Sequence, residues 1–403
     1  MKRFFPKGVF LSRQEDPDGQ IIASYTPEKV LVPLYPRGVG MVPANTQVKR
    51  GALLGEEGGF APDAGTIQEY REVVHPVLGR MLCAVLELGS RQPPRGHRSS
   101  KPQKGSCTPE EIQKTAMQAG IIDECSGELL WKRLRQMWED PPEFIAANAL
   151  EDLPFLPGAA FFLQEQEKVL RGLEYLADAA GTGYRVAWNS RRVGDAINGL
   201  PDYLSLSLDE RYPAWRLYQN RHGGKSMLLG VQALAALADA VEKGRVQTHT
   251  VIAVGGDALP KTQLLRVPIG TTVEDILQFC GIGARPCHVA MGNIVSAVSV
   301  LEPETPVTAS CQSLTAWNPA EVQLDDRVFP CIGCGKCQRT CPMGLAPWVV
   351  QEALGQDPIP QNMLWRVEEC VDCSACRAVC PSGIDLTACM KQARELRKRG
   401  GLA

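Results

Sequence analysis

Eight of the fifteen cysteines in this 403-residue chain fall into one duplicated pattern. Cys331, Cys334 and Cys337 lead to Cys341-Pro342, and Cys370, Cys373 and Cys376 lead to Cys380-Pro381. Each copy reads C-x2-C-x2-C-x3-C-P, and every cysteine is displaced from its counterpart by 39 residues. Three thiolates at two-residue gaps on a tight loop can reach three corners of one compact inorganic cube. The fourth follows three residues later and points the other way. A secreted disulfide scaffold would be shorter and would spread its cysteines evenly. The odd count and the clustering fit a reducing compartment instead.

The spacing is that of iron–sulfur ligands in bacterial two-cluster ferredoxins. It assigns Cys331, Cys334, Cys337 and Cys380 to one [4Fe–4S] cluster, and Cys370, Cys373, Cys376 and Cys341 to a second. Structural zinc is the competing reading, but zinc sites usually close one tetrahedron from two separated CxxC pairs. Pro342 and Pro381 stop the chain from continuing the preceding helix. Gly333 and Gly335, and Ser374 and Ala375, keep the loops small enough for backbone N–H groups to approach sulfur. Cys83, Cys107, Cys125, Cys280, Cys287, Cys311 and Cys389 show no metal spacing and read as buried or idle thiols. His75, His97, His222, His249 and His288 are scattered and read as structural.

Composition excludes other classes. With 43 basic and 45 acidic residues the formal net charge is −2, which argues against a nucleic-acid binder. No run approaches the roughly 20 apolar residues that span a bilayer. Residues 1–12 carry charge and proline too soon for a signal-peptide core. A soluble, cytoplasmic protein is expected, reaching a membrane only through partners.

Along the chain, residues 1–25 read as an irregular lead-in. Lys29 to Leu88 reads as short strands in a compact all-β unit. Arg91 to Ser106 is rich in Pro, Gly and Ser, has five Lys/Arg and no acid, and reads as an exposed linker. Thr108-Pro109-Glu110-Glu111 is a capping box with proline at the first helical position. From there to about 245 helix and strand alternate: a helix over Gln164–Ala180, a strand over Tyr184–Trp188 and a helix over Met227–Lys243, hence an α/β unit. Two strands, Thr250–Gly255 and Gln263–Pro268, precede a short helix opened by a second capping box at Thr271-Thr272-Val273-Glu274 and ending at Gly281. That module is β-grasp-like. From about Asp325 short helices and cysteine loops follow, ending in a charged helix around Met390–Arg399.

In this order of modules the chain resembles the RnfC family, a component of the Rnf/Rsx electron transport complex, over about residues 28–400. The cobalamin reductase of propanediol microcompartments is a more distant relative of that family. VPLYPRGVGMVPANTQVKRGALLGE and VVHPVLGRMLCAVLEL resemble the family's N-terminal barrel-sandwich segment and its closing strands. VIAVGGDALPKTQLLRVPIGTTVEDILQFCG resembles its β-grasp module, and both cysteine motifs match in full. The resemblance implies a multidomain α/β and β architecture. Residues 1–90 would form a barrel-sandwich-like β domain and 91–107 a basic linker. Residues 108–245 would form a degenerate α/β flavin/NADH-type domain. Residues 246–310 would form a β-grasp (SLBB-like) module, and 325–400 an α-helical dicluster ferredoxin-like domain. There is no Met-Lys-Met attachment motif, so a swinging cofactor is not expected.

The middle of the chain departs from the family. There a GxGGAGFP loop follows an Ala-Gly-Ile-Val, and its backbone N–H groups admit a phosphate. Here Ala119-Gly120-Ile121-Ile122 leads into Asp123-Glu124-Cys125-Ser126-Gly127-Glu128-Leu129-Leu130. The Asn-x-x-Glu-x-Glu-Pro element keeps Asn148, Glu151 and Pro154 but has Leu153 for its second Glu. The Asn-Val-x-Thr element has become Ala233-Leu234-Ala235-Ala236. Gly223-Gly224-Lys225, the one remaining phosphate-like loop, reads as a surface turn. FMN and NADH are therefore expected to be absent. Glu124 and Glu128 would repel a phosphate, and Leu129 and Leu130 would block it. The expected function is iron–sulfur electron transfer between protein redox partners, a flavoprotein or membrane complex among the candidates. An NADH-dependent flavin oxidoreductase with a divergent site is the first alternative. A scaffold protein with structural clusters is the second. No side chain is assigned a catalytic role.

Overall fold

The computed structural model describes residues 22–34, 42–56, 58–89, 107–222, 225–283, 288–318, 327–364 and 366–399. The expected linker over 91–106, Gly223-Gly224, Cys287 and Asp325 lie outside the described residues.

The first strand, β1 (Ile22–Ser24), is not irregular lead-in: it pairs in parallel with a strand more than two hundred residues away, introduced below as β11. Next come β2 (Lys29–Pro33), β3 (Gln47–Val48), β4 (Gly65–His75) and β5 (Gly79–Leu88). They form an antiparallel sheet in the order β2-β5-β4-β3, with a register shift between Ile67 and Glu69. Val30, Val32, Leu54, Ile67, Ala84 and Leu86 fill its core.

The α/β unit starts with α1 (Pro109–Gln118), capped reciprocally by Thr108 and Glu111 as the sequence predicts. It continues through α2 (Leu130–Glu139), β6 (Phe144–Ala149), α3 (Gly158–Ala180), β7 (Gly183–Trp188), α4 (Arg191–Ile197), β8 (Ser205–Ser207), α5 (Ala214–His222), β9 (Ser226–Gly230) and α6 (Val231–Lys243). The sheet is wholly parallel, in the order β8-β7-β6-β9. The single helix expected over Met227–Lys243 is divided. Met227 to Gly230 belongs to β9, because these residues pair with β6, and the helix begins at Val231. Helix α3 packs closely on α6. At Gly172 a Cβ would come 2.1 Å from the Leu234 carbonyl oxygen, so the contact requires glycine. The Ala233-Leu234-Ala235-Ala236 run is thereby used for helix packing: Ala233 and Leu234 are fully buried.

A third sheet is mixed. Its strands are β10 (His249–Gly255), β11 (Gln263–Pro268), β12 (His288–Met291), β13 (Val298–Ser299) and β14 (Ser313–Trp317), joined by β1 in the order β1-β11-β10-β14-β12-β13. It draws in two strands that lie outside residues 246–310. Helix α7 (Val273–Phe279) packs its Ile276 and Leu277 into this sheet's core. Its N-cap is Thr272, which accepts from the Asp275 N–H. The expected box at Thr271–Glu274 is thus shifted by one residue, and no Glu or Gln side chain returns to the cap.

The C-terminal segment holds α8 (Lys336–Thr340), α9 (Pro347–Leu354), α10 (Ala375–Ala378) and α11 (Leu386–Arg399). Helix α8 packs on α10, and α9 on α11. Among the described residues no helix is long and apolar enough to cross a membrane.

Candidate iron–sulfur centre

The cysteine duplication is also a duplication of backbone geometry. Gly333 and Gly335 have φ of 64° and 67°, and their counterparts 39 residues on, Asp372 and Ser374, have 51° and 58°. Gly344 and Gly383, the next pair, are at 70° and 66°. Two left-handed residues per loop turn three cysteines inward before a short helix carries the chain to the fourth. In the first copy glycine makes this conformation cheap. In the second, Asp372 and Ser374 adopt it against a cost of order 1–3 kcal/mol each. Arg394 holds that second loop by donating to the Cys370 carbonyl (2.9 Å) and pairing with Asp372.

The short helix and its proline stop bring Cys341 beside the cysteines of the other copy. Cys341 borders one enclosed, apolar cavity together with Cys370, Cys373 and Cys376. Leu345, Thr387 and Met390 complete its walls. Cys341 and Cys370 share an apolar cluster with Leu345, Val367 and Met390. Cys337 lies in a second cluster with Ile384 and Leu386, and Cys376, Cys380 and Cys389 pack against it. The chain ahead of Cys331 runs beside the chain after Cys380. Phe329 N–H donates to the Ser382 carbonyl (2.9 Å), and Ser382 Oγ donates to the Pro330 carbonyl (3.0 Å).

The sulfur environment suits thiolates that are committed to metal. Leu345 N–H points at Cys341 Sγ (3.4 Å), and Thr387 Oγ1 lies 3.9 Å from Cys376 Sγ. Burial pushes the Cys373 thiol up to about 11 and the Cys376 thiol up to about 12, in both cases against neighbouring donors. Free, these thiols hold their protons; loading a metal centre must expel them. Among the described residues no three His, Cys, Asp or Glu side chains close round a single-ion position. The thiols border a cavity rather than a point.

The α/β unit contacts both copies of the motif. Tyr212 Oη donates to the Cys373 carbonyl (2.8 Å), and Asn220 Nδ2 donates to the Pro342 carbonyl (2.6 Å). Neither residue was visible as a site residue in the sequence, because contact across units leaves no local spacing. Cys331 is exposed, whereas the four cysteines of the second copy are half-buried.

A cleft of about 1580 Å³ opens between the units, and Cys373 and Ser374 form part of its wall. Glu124, Cys125, Asn148, Tyr212 and Arg216 line it elsewhere. The loop after Ile122 does not take the disposition expected of it. Leu129 and Leu130 are buried in the hydrophobic interior, and Glu128 is exposed. Glu124 turns inward instead. Its Oε1 accepts from Gln232 N–H (2.7 Å) and its Oε2 from Ala233 N–H (3.0 Å) at the start of α6. Asp123 accepts from Gly230 N–H (2.7 Å) and pairs with Arg133. Two carboxyl groups of the chain therefore occupy three N–H donors at the α6 N-terminus, where a helix offers positive potential to an anion. Burial and the Asp123 charge push Glu124 up to about 8. Of the remaining family-element residues, Asn148 donates to Cys125 Sγ (3.0 Å) and Glu151 pairs with Arg192.

Comparison with known proteins agrees with this geometry. Residues 330–384 match the 4Fe-4S dicluster domain family. The segment is a ferredoxin-type dicluster domain. The chain is 22% identical over 371 residues to the C subunit of the proton-translocating ferredoxin:NAD(+) oxidoreductase complex of Clostridium ljungdahlii, covering 83% of this chain and 80% of that one. It is 23% identical over 384 residues to the C subunit of the ion-translocating oxidoreductase complex of Vibrio cholerae, covering 86% of this chain and 50% of that one. The Pseudomonas aeruginosa counterpart is 31% identical over 170 residues, 38% of this chain and 22% of that one. The chain is similar to the C subunits of the Clostridium and Vibrio complexes over most of its length. It spans half or less of the Vibrio and Pseudomonas proteins.

Proposed function

We propose that this chain is an iron–sulfur electron-transfer component of a larger redox assembly, relaying electrons between protein partners through two [4Fe–4S] clusters. The observation that carries the reading is the cavity that Cys341 shares with Cys370, Cys373 and Cys376. It supports one of the crossed ligand sets, Cys341 with the second motif; the other, Cys380 with Cys331, Cys334 and Cys337, rests on the same spacing. The clusters supply reversible one-electron chemistry when bound. The chain contributes the apolar lining, the N–H donor to Cys341 sulfur, the Tyr212 contact that holds the second loop and the Asn220 contact that holds Pro342.

The sheets fit the domain reading implied by the RnfC resemblance: a barrel-sandwich-like N-terminal unit, a degenerate flavin/NADH-type α/β unit, a β-grasp-like module and the dicluster domain. FMN and NADH binding is read as lost. The ground is the filling of the α6 N-terminus by Asp123 and Glu124, rather than repulsion from an open loop. The partners are redox proteins, and association with a membrane is through them. The cleft beside Cys373 favours the alternative, a flavin oxidoreductase with a divergent site, because large concave sites are where organic cofactors bind.

One anaerobic preparation separates these readings. About eight iron and eight sulfide per chain without flavin are expected. Stoichiometric zinc without labile sulfide would overturn the cluster reading. Stoichiometric flavin would select the alternative. Clusters that no reductant can reduce would select a structural scaffold.

A further inference from the structure

The two cysteine loops differ in what they show to solvent. The second is held from the α/β unit by Tyr212, through the Cys373 carbonyl. The first carries the exposed Cys331 between Val328, Phe329 and Ile332, whose exposures are 64%, 49% and 69%. Single exposed apolar side chains are ordinary, but three within five residues around one ligand make a patch. The patch is held in place, since Phe329 N–H is fixed to the Ser382 carbonyl and the Arg327 guanidinium lies 5.9 Å from the Phe329 ring. Arg327, Lys336 and Arg339 are exposed around it, and no Asp or Glu occurs from residue 327 to 351. On the facing segment the acid after Cys380, Asp385, is paired with Arg377. Around the second loop each acid is paired: Glu369 with Arg366, Asp385 with Arg377, Asp372 with Arg394 and Glu368 with Arg397.

We propose that this face is the docking surface for an acidic one-electron carrier protein. The proposal rests on the reading of Cys331, Cys334, Cys337 and Cys380 as cluster ligands. An apolar centre with a charged rim is the anatomy of a transient protein interface. The basic rim of Arg327, Lys336 and Arg339 steers a negatively charged partner to the first loop. The carrier gives up or takes one electron there; no bond is made or broken and no proton moves.

The test uses the anaerobically purified full chain, immobilised, and an acidic two-cluster bacterial ferredoxin as the probe. Raising salt from about 50 to about 500 mM should weaken binding tenfold or more. Lys336→Glu and Val328→Glu should each weaken it about fivefold or more at low salt. Iron and labile sulfide measured on the same samples show that the variants are loaded. Normally loaded variants that bind like the parent, or binding indifferent to salt, would overturn the proposal. Weakening by Tyr212→Phe but by neither surface variant would also overturn it, because the carrier would then sit in the cleft. A parent chain without iron or sulfide would instead remove the cluster reading, and the proposal with it.

Discussion

The hydroxyl of Tyr212 donates to the backbone carbonyl of Cys373 at 2.8 Å, so a residue of the α/β unit holds the cysteine loop directly. Tyr212 is buried and its proton is locked on, because burial and the charges of Cys373 and Asp152 push its ionisation well above the ordinary tyrosine value. Asn220 makes the matching contact to the Pro342 carbonyl. Tyr212→Phe and Asn220→Ala should each cost about 1 kcal/mol. Their combined effect should appear as faster amide exchange in 341–345 and 371–375, with residues 331–337 unchanged. Uniform exchange across the dicluster segment would show that the two bonds do not hold the loop.

Substitution of the fourth cysteines tests the crossing. Cys341→Ala should damage the cluster held by Cys370, Cys373 and Cys376, and Cys380→Ala the one held by Cys331, Cys334 and Cys337. Two [4Fe–4S] signals resolved by electron paramagnetic resonance would be assigned by also substituting Cys334 and Cys373. If Cys341→Ala abolishes the same signal as Cys334→Ala, the crossed sets are wrong.

The loop geometry makes a prediction that spacing alone does not. Around Gly333 an added Cβ meets nothing within 4 Å, so substitution there reports the backbone alone. Gly333→Asn should be mild, because asparagine tolerates the left-handed region. Gly333→Val should cost about 1–2 kcal/mol more. Denaturant melts of the two variants check this, and equal stability would contradict it.

The cysteine motifs were legible because ligand geometry forces a short, fixed spacing that any reader of the chain can see. In the α/β unit α1, α3, β7 and the body of α6 were legible from caps and periodicity; α2, β6, α4, β8 and α5 were not, being short, and the Met-Leu-Leu-Gly of β9 runs without a break into the apolar face of α6. The pairing of β1 with β11 was not legible, since three residues carry no period and their partner lies far along the chain. The fate of Glu124 was not legible either. The sequence shows an acid replacing glycine, but only the fold shows that the acid turns inward to α6.

That inward turn also predicts how FMN will behave. The parent chain should show no micromolar FMN or NADH binding, since Glu124 and Asp123 already occupy the donors at α6. Glu124→Gln should not restore it, because the amide still fills the space: a Cβ on Gly230 would lie 2.0 Å from the Glu124 carboxyl carbon. Calorimetric titration of both proteins decides this. Tight binding by the parent would return the flavin oxidoreductase reading.

The same residue gives the fold a pH dependence of definite sign. Burial and Asp123 push Glu124 up to about 8, while the N–H groups of Gln232 and Ala233 pull the other way. Unfolded, the carboxyl returns to its ordinary range near 4.5. Between these values the folded chain holds a proton that the unfolded chain has released. The stabilising contribution is therefore complete below about 4.5 and is lost as pH rises towards about 8. The slope is at most about 1.4 kcal/mol per pH unit for one proton. Glu124→Gln keeps one acceptor for the α6 N–H groups and has no proton to lose, so this part of the pH dependence should vanish. Urea melts of the two proteins between pH 5 and pH 8.5 (about the window the shift defines) compare the slopes. A parent chain that grows more stable over that interval relative to Glu124→Gln would show that the Glu124 carboxylate is charged in the fold.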